Sequence, residues 1–188
     1  NFPTFYKAMD AAQHIVRMGG SALTAVELVD RTMIELSLQN PAFAATVRTA
    51  LSPAINAGQP EAILLVEFAG NTKAELLPKM RELVELMGDL GLPGSVVEMV
   101  DDAPQKALWD VRKAGLNIMM SLKGDGKPVS FIEDCAVPLE HLAEYTDGLT
   151  QVFRKYGSKG TWYAHASVGT LHVRPILDMR TGGPNGGA

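Results

Sequence analysis

Residues 161–175, Thr-Trp-Tyr-Ala-His-Ala-Ser-Val-Gly-Thr-Leu-His-Val-Arg-Pro, read as two short strands around a tight turn centred between Val168 and Gly169. Side chains on a strand point alternately to opposite faces. Trp162, Ala164, Leu171 and Val173 therefore form an apolar wall, and Tyr163, His165, His172 and Arg174 collect on the other face. The turn uses two residues (Val168-Gly169) or four (167–170), and both choices share that centre. Either way His165 is expected to face His172, and Tyr163 to face Arg174, with opposed Cβ atoms about 5 Å apart. Two imidazoles, a phenol and a guanidinium gathered over an apolar wall have the look of a site.

The remaining chain alternates helical and extended patterns. Apolar residues at helical spacing predict a helix over 4–18, stopped by Gly19-Gly20. A strand at 22–28 leads into a helix over about 30–38, and 40–59 has no clear pattern. The compact apolar run at 62–69 reads as a central strand, ended by Gly70. Residues 72–90 form an amphipathic helix with Thr72 and Glu75 as a capping box. A short strand at 95–100, a helix at 102–122, a strand at 129–137 and a helix at 138–156 complete the order before the hairpin. Helices between strands, closed by a hairpin, predict an α+β fold. It is a ferredoxin-like sandwich, with a mainly antiparallel sheet and helices packed on one side.

At 188 residues the chain suits one domain, expected over 1–180, with the Gly/Pro/Asn-rich stretch at 181–188 as a flexible tail. It starts at Asn1 and reads as a domain cut from a longer polypeptide. A net charge of −4 argues against a nucleic-acid footprint. No apolar run is long enough to span a bilayer, and the N-terminus lacks the layout of a signal peptide. The single cysteine, Cys135, fits a reducing compartment, so a cytoplasmic location is expected, with membrane association arising through electron acceptors. There is no G-x-G-x-x-G, Walker A, C-x-x-C or H-E-x-x-H motif. Any nucleotide or flavin would have its main cradle elsewhere.

Two neutral imidazoles at that separation make half of a divalent-metal site, which generally adds a carboxylate and an open position. On spacing alone, a partly exposed, hydrogen-bonded pair is the favoured account. Arg174 beside it shifts the balance toward an anionic substrate, which a guanidinium clamps well. Arg112, in Leu108-Trp-Asp-Val-Arg-Lys113, lies by helical spacing near Trp109, Leu116 and Met120, and its plainest reading is a surface residue that snorkels or pairs. Lys127 follows the Gly124-Asp-Gly126 break and reaches a ligand or water equally well. Glu133 and Asp134 end a strand, and one of them is expected to pair with a nearby cation. His14 and His141 read as surface residues, and the methionines as packing.

Taken together, Trp109-Asp-Val-Arg-Lys113, Phe131-Ile-Glu-Asp-Cys-Ala-Val-Pro-Leu139 and His165-x6-His172 resemble the C-terminal substrate domain of FAD-linked oxidases. That is the D-lactate dehydrogenase, glycolate oxidase and D-2-hydroxyglutarate dehydrogenase group, and the resemblance covers nearly the whole chain. It implies a cap over a flavin held mostly by an N-terminal FAD-binding domain, and a small 2-hydroxy acid as substrate. His165 and His172 match the family's metal-binding histidines, implying catalytic roles with Zn or Mn. Arg112 matches the arginine that contacts the substrate carboxylate, and Lys127 matches a lysine in the following loop; Arg174 and Tyr163 complete the expected substrate contacts. Ser167-Val-Gly-Thr170 departs from the commoner Gly-Asp-Gly-Asn, and Arg174 replaces a usual asparagine. The form Ala166-Ser-Val-Gly-x-Leu-His-Val-Arg-Pro175 resembles the subfamily fused to an iron–sulfur domain, implying an iron–sulfur cluster as electron acceptor. The family's third metal ligand, a later glutamate, falls beyond residue 188. The resemblance leaves this chain's own flavin contacts unspecified.

The resulting expectation is the substrate-binding cap of an FAD-dependent 2-hydroxy-acid dehydrogenase, inactive when isolated. The alternative is a non-enzymatic ferredoxin-like module that binds a ligand or partner, since this architecture carries many functions. A stand-alone zinc protein is weakened by having only two convincing ligands.

Overall fold

The computed structural model describes residues 1–180, so the expected tail at 181–188 lies outside the described residues. Among the described residues, six strands form one antiparallel sheet in the order β2-β1-β5-β6-β3, with β4 also paired to β6. The strands are β1 (Leu23–Asp30), β2 (Ala62–Phe68), β3 (Lys127–Pro128), β4 (Ile132–Ala136), β5 (Lys159–His165) and β6 (Thr170–Leu177). The helices are α1 (Phe5–Gly19), α2 (Arg31–Gln39), α3 (Ala44–Ala50), α4 (Lys73–Asp89), α5 (Asp102–Lys113), α6 (Gly115–Met120) and α7 (Leu142–Lys155). The α+β architecture is the one expected from the sequence. No helix among the described residues is long and apolar enough to cross a membrane.

One side of the sheet carries the main core. Ala8, Met9, Ala12 and Ile15 of α1 and Leu142, Ala143 and Phe153 of the α7 region meet Val26, Leu28, Leu64, Trp162, Ala164, Leu171 and Val173. The Trp162 ring lies 5.1 Å from Phe5 and 6.1 Å from Phe153, centroid to centroid. The apolar wall read from the hairpin is thus fully used; each large side chain in it contributes about 1.5–3 kcal/mol by leaving water. A second cluster covers the opposite face at the β1–β2 end, where Val29, Ile63 and Leu65 meet Met33, Ile34, Val47, Val111 and Ile118. Four short helices, α2, α3, α5 and α6, supply that layer, in addition to the helices on the first side.

Local sequence accounts for most boundaries. The Thr4 and Thr72 hydroxyls accept from the N–H groups of Lys7 and Glu75 and cap α1 and α4. Glu75 returns a carboxylate to the Asn71 N–H, one residue before the one a capping box would use. Asp30 caps α2 and accepts from Met33 N at 2.9 Å.

Several expectations are corrected. The run at 62–69 is an edge strand, not a central one. Its apolar character comes from helices on both of its faces, since Leu64 belongs to one core cluster and Ile63 to the other. Residues 95–100 form no strand. With β2 and α4 they line an open, largely apolar pocket of about 280 Å³. The helix expected at 102–122 breaks at Ala114 (φ −74°, ψ −2°) into α5 and α6. Gly115, just past the break, lets α6 approach closely: a Cβ there would stand 3.0 Å from Met33 Cε and 3.6 Å from the Tyr163 ring. The strand expected at 129–137 is shortened to β4, with the two-residue β3 standing before it, and the β4–β6 pairing shifts register between Ile132 and Cys135, where Asp134 takes φ +54°. Residues 44–50, illegible in the sequence, form α3.

The hairpin turn also moves. Residues 166–168 make a single 3₁₀ turn and Gly169 follows in the left-handed region, at φ 69° and ψ 20°. His165 pairs with Thr170, Tyr163 with His172, and Thr161 with Arg174, so neither expected partnership, His165–His172 or Tyr163–Arg174, is formed directly. Shifting the centre by one residue displaces every partner by two, which leaves each side chain on its expected face. Gly169 fixes this geometry twice over: besides its positive φ, a Cβ there would sit 2.0 Å from the Val137 carbonyl oxygen.

Candidate active site

Strands β1, β5, β6 and β4 lie side by side, and each sends polar side chains to the same face. The β1–β5 register sets Glu27 opposite His165 and Val29 opposite Tyr163. The β5–β6 register sets Tyr163 opposite His172, with His165 on the diagonal. The two imidazole centroids are 5.7 Å apart, and Tyr163 lies 5.9 Å from one and 5.7 Å from the other. The convergence expected of the histidines is therefore present, although their backbones are not direct partners.

Two carboxylates hold this group, and each bridges one imidazole to one guanidinium. Glu27 meets His165 Nδ1 at 2.8 and 3.0 Å and accepts from Arg112 Nη2 at 2.6 Å. Glu133 meets His172 Nδ1 at 2.6 Å and accepts from Arg174 Nε at 3.1 Å. Burial alone would raise the Glu133 pKa, but hydrogen bonds from Ser130, Arg174 and His172 outweigh it and hold the carboxyl below its usual range. Glu133 is thus the member of the Glu133-Asp134 pair that pairs with a cation, Arg174, as well as with His172; Asp134 is 85% exposed and stands 3.6 Å from His172 Nδ1.

Arg112 is not the surface residue its helical neighbours suggested. It is 2% exposed, whereas Leu116 and Met120, beyond the break at Ala114, are 52% and 49% exposed. Its guanidinium carbon lies 3.1 Å from the Tyr163 ring centroid. One nitrogen, Nη2, serves Glu27 and lies 3.5 Å from the Ala164 carbonyl; Nε and Nη1 are buried with no partner. Burial lowers the pKa of the group to about 10, with Glu27 acting in the opposite direction, so it remains charged near neutrality. A buried cation with two idle donors is costly unless something acidic completes it.

The other expected residues separate. Lys127 pairs with Leu177 at the far end of β6 and gives its ammonium to the Leu122 carbonyl, so the structure does not bring it to the imidazoles. Arg174 lies beside His172 through their shared Glu133. His141 is largely exposed on the helical side, as expected. Glu27 went unnoticed in the sequence. Its signal was a lone acidic residue inside the apolar run Ala25-Val-Glu-Leu-Val29.

Metal fit can be judged from the donors themselves. Both histidines have Nδ1 engaged by a carboxylate, and Nε2 remains as the ring's other ligating atom. Among the described residues no group of three or more His, Cys, Asp or Glu side chains is placed to hold a metal ion, so these two would supply part of a ligand set.

Comparison with known proteins agrees in extent with this architecture. The family model described as FAD linked oxidases, C-terminal domain, matches residues 1–186. Among similar proteins are three bacterial ones named D-2-hydroxyglutarate dehydrogenase. The protein from Pantoea ananatis is 29% identical over 180 residues, covering 93% of this chain and 17% of its own length. That from Pseudomonas putida is 27% identical over 174 residues, covering 92% of this chain and 17% of its own. That from Escherichia coli is 32% identical over 121 residues, covering 61% of this chain and 12% of its own. The chain thus spans less than a fifth of the length of these relatives.

Proposed function

This chain belongs to the family of FAD-linked oxidase C-terminal domains, and on that premise we propose that it forms the substrate side of an FAD-dependent 2-hydroxy-acid dehydrogenase. The observation that carries the reading is Arg112, a buried guanidinium with two unused donors, stacked on the Tyr163 ring that neighbours both histidines. A substrate carboxylate would satisfy those donors with a charge-assisted, bidentate pair. Arg174 is a second cation at the opposite side of the imidazoles, which suits a dicarboxylate such as the 2-hydroxyglutarate named for the relatives.

His165 and His172 would hold a divalent metal, Zn or Mn, with a further ligand from elsewhere in the protein. Such a metal supplies Lewis acidity toward the substrate hydroxyl, and FAD, bound mainly by an N-terminal domain, supplies the hydride acceptor. This chain's residues contribute position and charge. Arg112 fixes one carboxylate, Tyr163 supports the guanidinium from beneath, and Arg174 adds a second anchor on the far side. Fixing the acid at its ends limits how the bond to the α-hydrogen can turn. The hairpin's likeness to the iron–sulfur-fused subfamily supports an iron–sulfur domain as the electron acceptor.

The test uses the complete protein with D-2-hydroxyglutarate and D-lactate as separate substrates. Arg112→Met should lower kcat/KM by about 2–5 kcal/mol of binding, since it cuts a buried charge-assisted pair. Unchanged kcat/KM for both acids would remove Arg112 from the substrate site. A loss for 2-hydroxyglutarate alone on Arg174→Ala would support the dicarboxylate assignment.

A further inference from the structure

The two histidines and two carboxylates share a pattern. In each half of the site a glutamate lies on a neighbouring strand, meets Nδ1 of the histidine and meets an arginine: Glu27 with His165 and Arg112, Glu133 with His172 and Arg174. An ionised carboxylate only accepts hydrogen bonds, so a neutral imidazole beside it must carry its proton on Nδ1. The lone pair is then on Nε2. Each guanidinium in turn limits the rotation of its glutamate through a hydrogen bond. Strand pairing contributes as well, because Glu27 is directly opposite His165 in the β1–β5 register. On the other side, the register shift between Ile132 and Cys135 still leaves Glu133 within reach of His172.

We infer that Glu27 and Glu133 are positioning residues that lock His165 and His172 in the Nδ1–H form, so that both rings present Nε2 as the ligand atom of one divalent-metal site. The inference rests on the metal reading proposed above and deepens it. Carboxylates that accept the second ring N–H of a ligating histidine orient the ring and raise its basicity, and losing one costs about 10–100-fold in metal affinity. Both arginines hydrogen-bond to the carboxylates and not to the imidazoles, so neither guanidinium engages a ring nitrogen.

The experiment uses the 188-residue chain with ¹⁵N-labelled histidine, held well above the ordinary imidazole pKa, with folding of every variant checked by circular dichroism. Long-range ¹H–¹⁵N spectra distinguish the two neutral forms directly. Expected is the Nδ1–H form for both His165 and His172. Glu27→Ala should release His165 only, and Glu133→Ala should release His172 only, a crossed pattern that general loosening of the fold would not produce. Calorimetric titration with Zn²⁺ should show weaker binding in each variant by about tenfold or more. An Nε2–H form at either ring in the unsubstituted chain, or loss of both forms in both variants, overturns the inference. Correct ring forms together with Zn²⁺ binding that is unmoved by His165→Ala and His172→Ala would overturn the metal reading instead, so the two failures are distinguishable.

Discussion

Two carboxylates three residues apart on β1, the largely covered Glu27 and the buried Asp30, look alike in the sequence and do opposite work. Asp30 is 3% exposed and takes neutral donors: the N–H groups of Met33 and Trp162 and the Thr161 hydroxyl, at 2.8–2.9 Å. All three donors are satisfied in the interior, the Thr161 hydroxyl also lying 3.1 Å from Met119 Sδ, and they tie α2, β1 and β5 together. Glu27, 12% exposed on its side chain, takes His165 and Arg112, and both keep unused capacity after the contact. A buried acid whose partners are saturated is part of the scaffold. One whose partners still have donors or lone pairs to spare leaves bonding capacity that a ligand would fill, as proposed for Arg112.

The sharpest way to break that distinction is Asp30→Ala. It removes a helix cap and strands the Trp162 N–H and Thr161 hydroxyl in the interior, so about 3–5 kcal/mol of stability should be lost in denaturant titration. No second substitution of a cation should restore it. Glu27→Ala should cost somewhat less, about 3 kcal/mol, by leaving Arg112 buried and unpaired. Here rescue is expected: adding Arg112→Met removes the orphaned charge, and most of the loss should be recovered. If the double variant is as unstable as Glu27→Ala alone, the Arg112–Glu27 pair is not the reason for the loss.

Acidity gives a finer test. Burial raises the Asp30 pKa despite opposing hydrogen bonds from Met33, Trp162 and Thr161. The folded chain then holds this proton more tightly than the unfolded chain. The group favours folding below the ordinary aspartate range, and that contribution is lost as pH rises from there through the folded value. In thermal melts, wild type should lose ground relative to Asp30→Asn across that window. A difference that does not change with pH would argue that Asp30 is ionised throughout.

The smallest effect belongs to the outer half of the site. Glu133 is 28% exposed on its side chain and Arg174 is 16% exposed, so water screens their pair more than it does Arg112–Glu27. Glu133→Ala should cost about 1 kcal/mol in stability. A cost equal to that of Glu27→Ala would make the two halves energetically equivalent.

The hairpin was legible because strand alternation depends on nothing beyond itself. Its faces survived even though the register did not: the turn centre depends on Gly169 meeting Val137, a contact between separate elements. The apolar run of β2 reflects burial on both faces, a pattern that a strand paired on both edges would share. Residues 95–100 had a strand's composition but no partner strand. The carboxylates could not be assigned because their roles come from packing: Glu27 reaches His165 across 138 residues of chain, and Arg112 is buried where it meets Glu27 and the Tyr163 ring, contacts far from it in sequence. The family motifs pointed to the imidazoles and the arginine, and the groups that hold them had to come from the fold.

Gly169 gives the turn an uneven tolerance that a saturation scan would expose. Its neighbour Val168 is 69% exposed and should accept nearly any replacement, including charged ones. At Gly169 every other side chain meets both the left-handed backbone and the Val137 oxygen. Adjacent columns of such a scan should therefore show a plateau and a cliff. The cliff should register in assays of folding as strongly as in assays of turnover, because it is the β4–β6 junction, not the chemistry, that gives way.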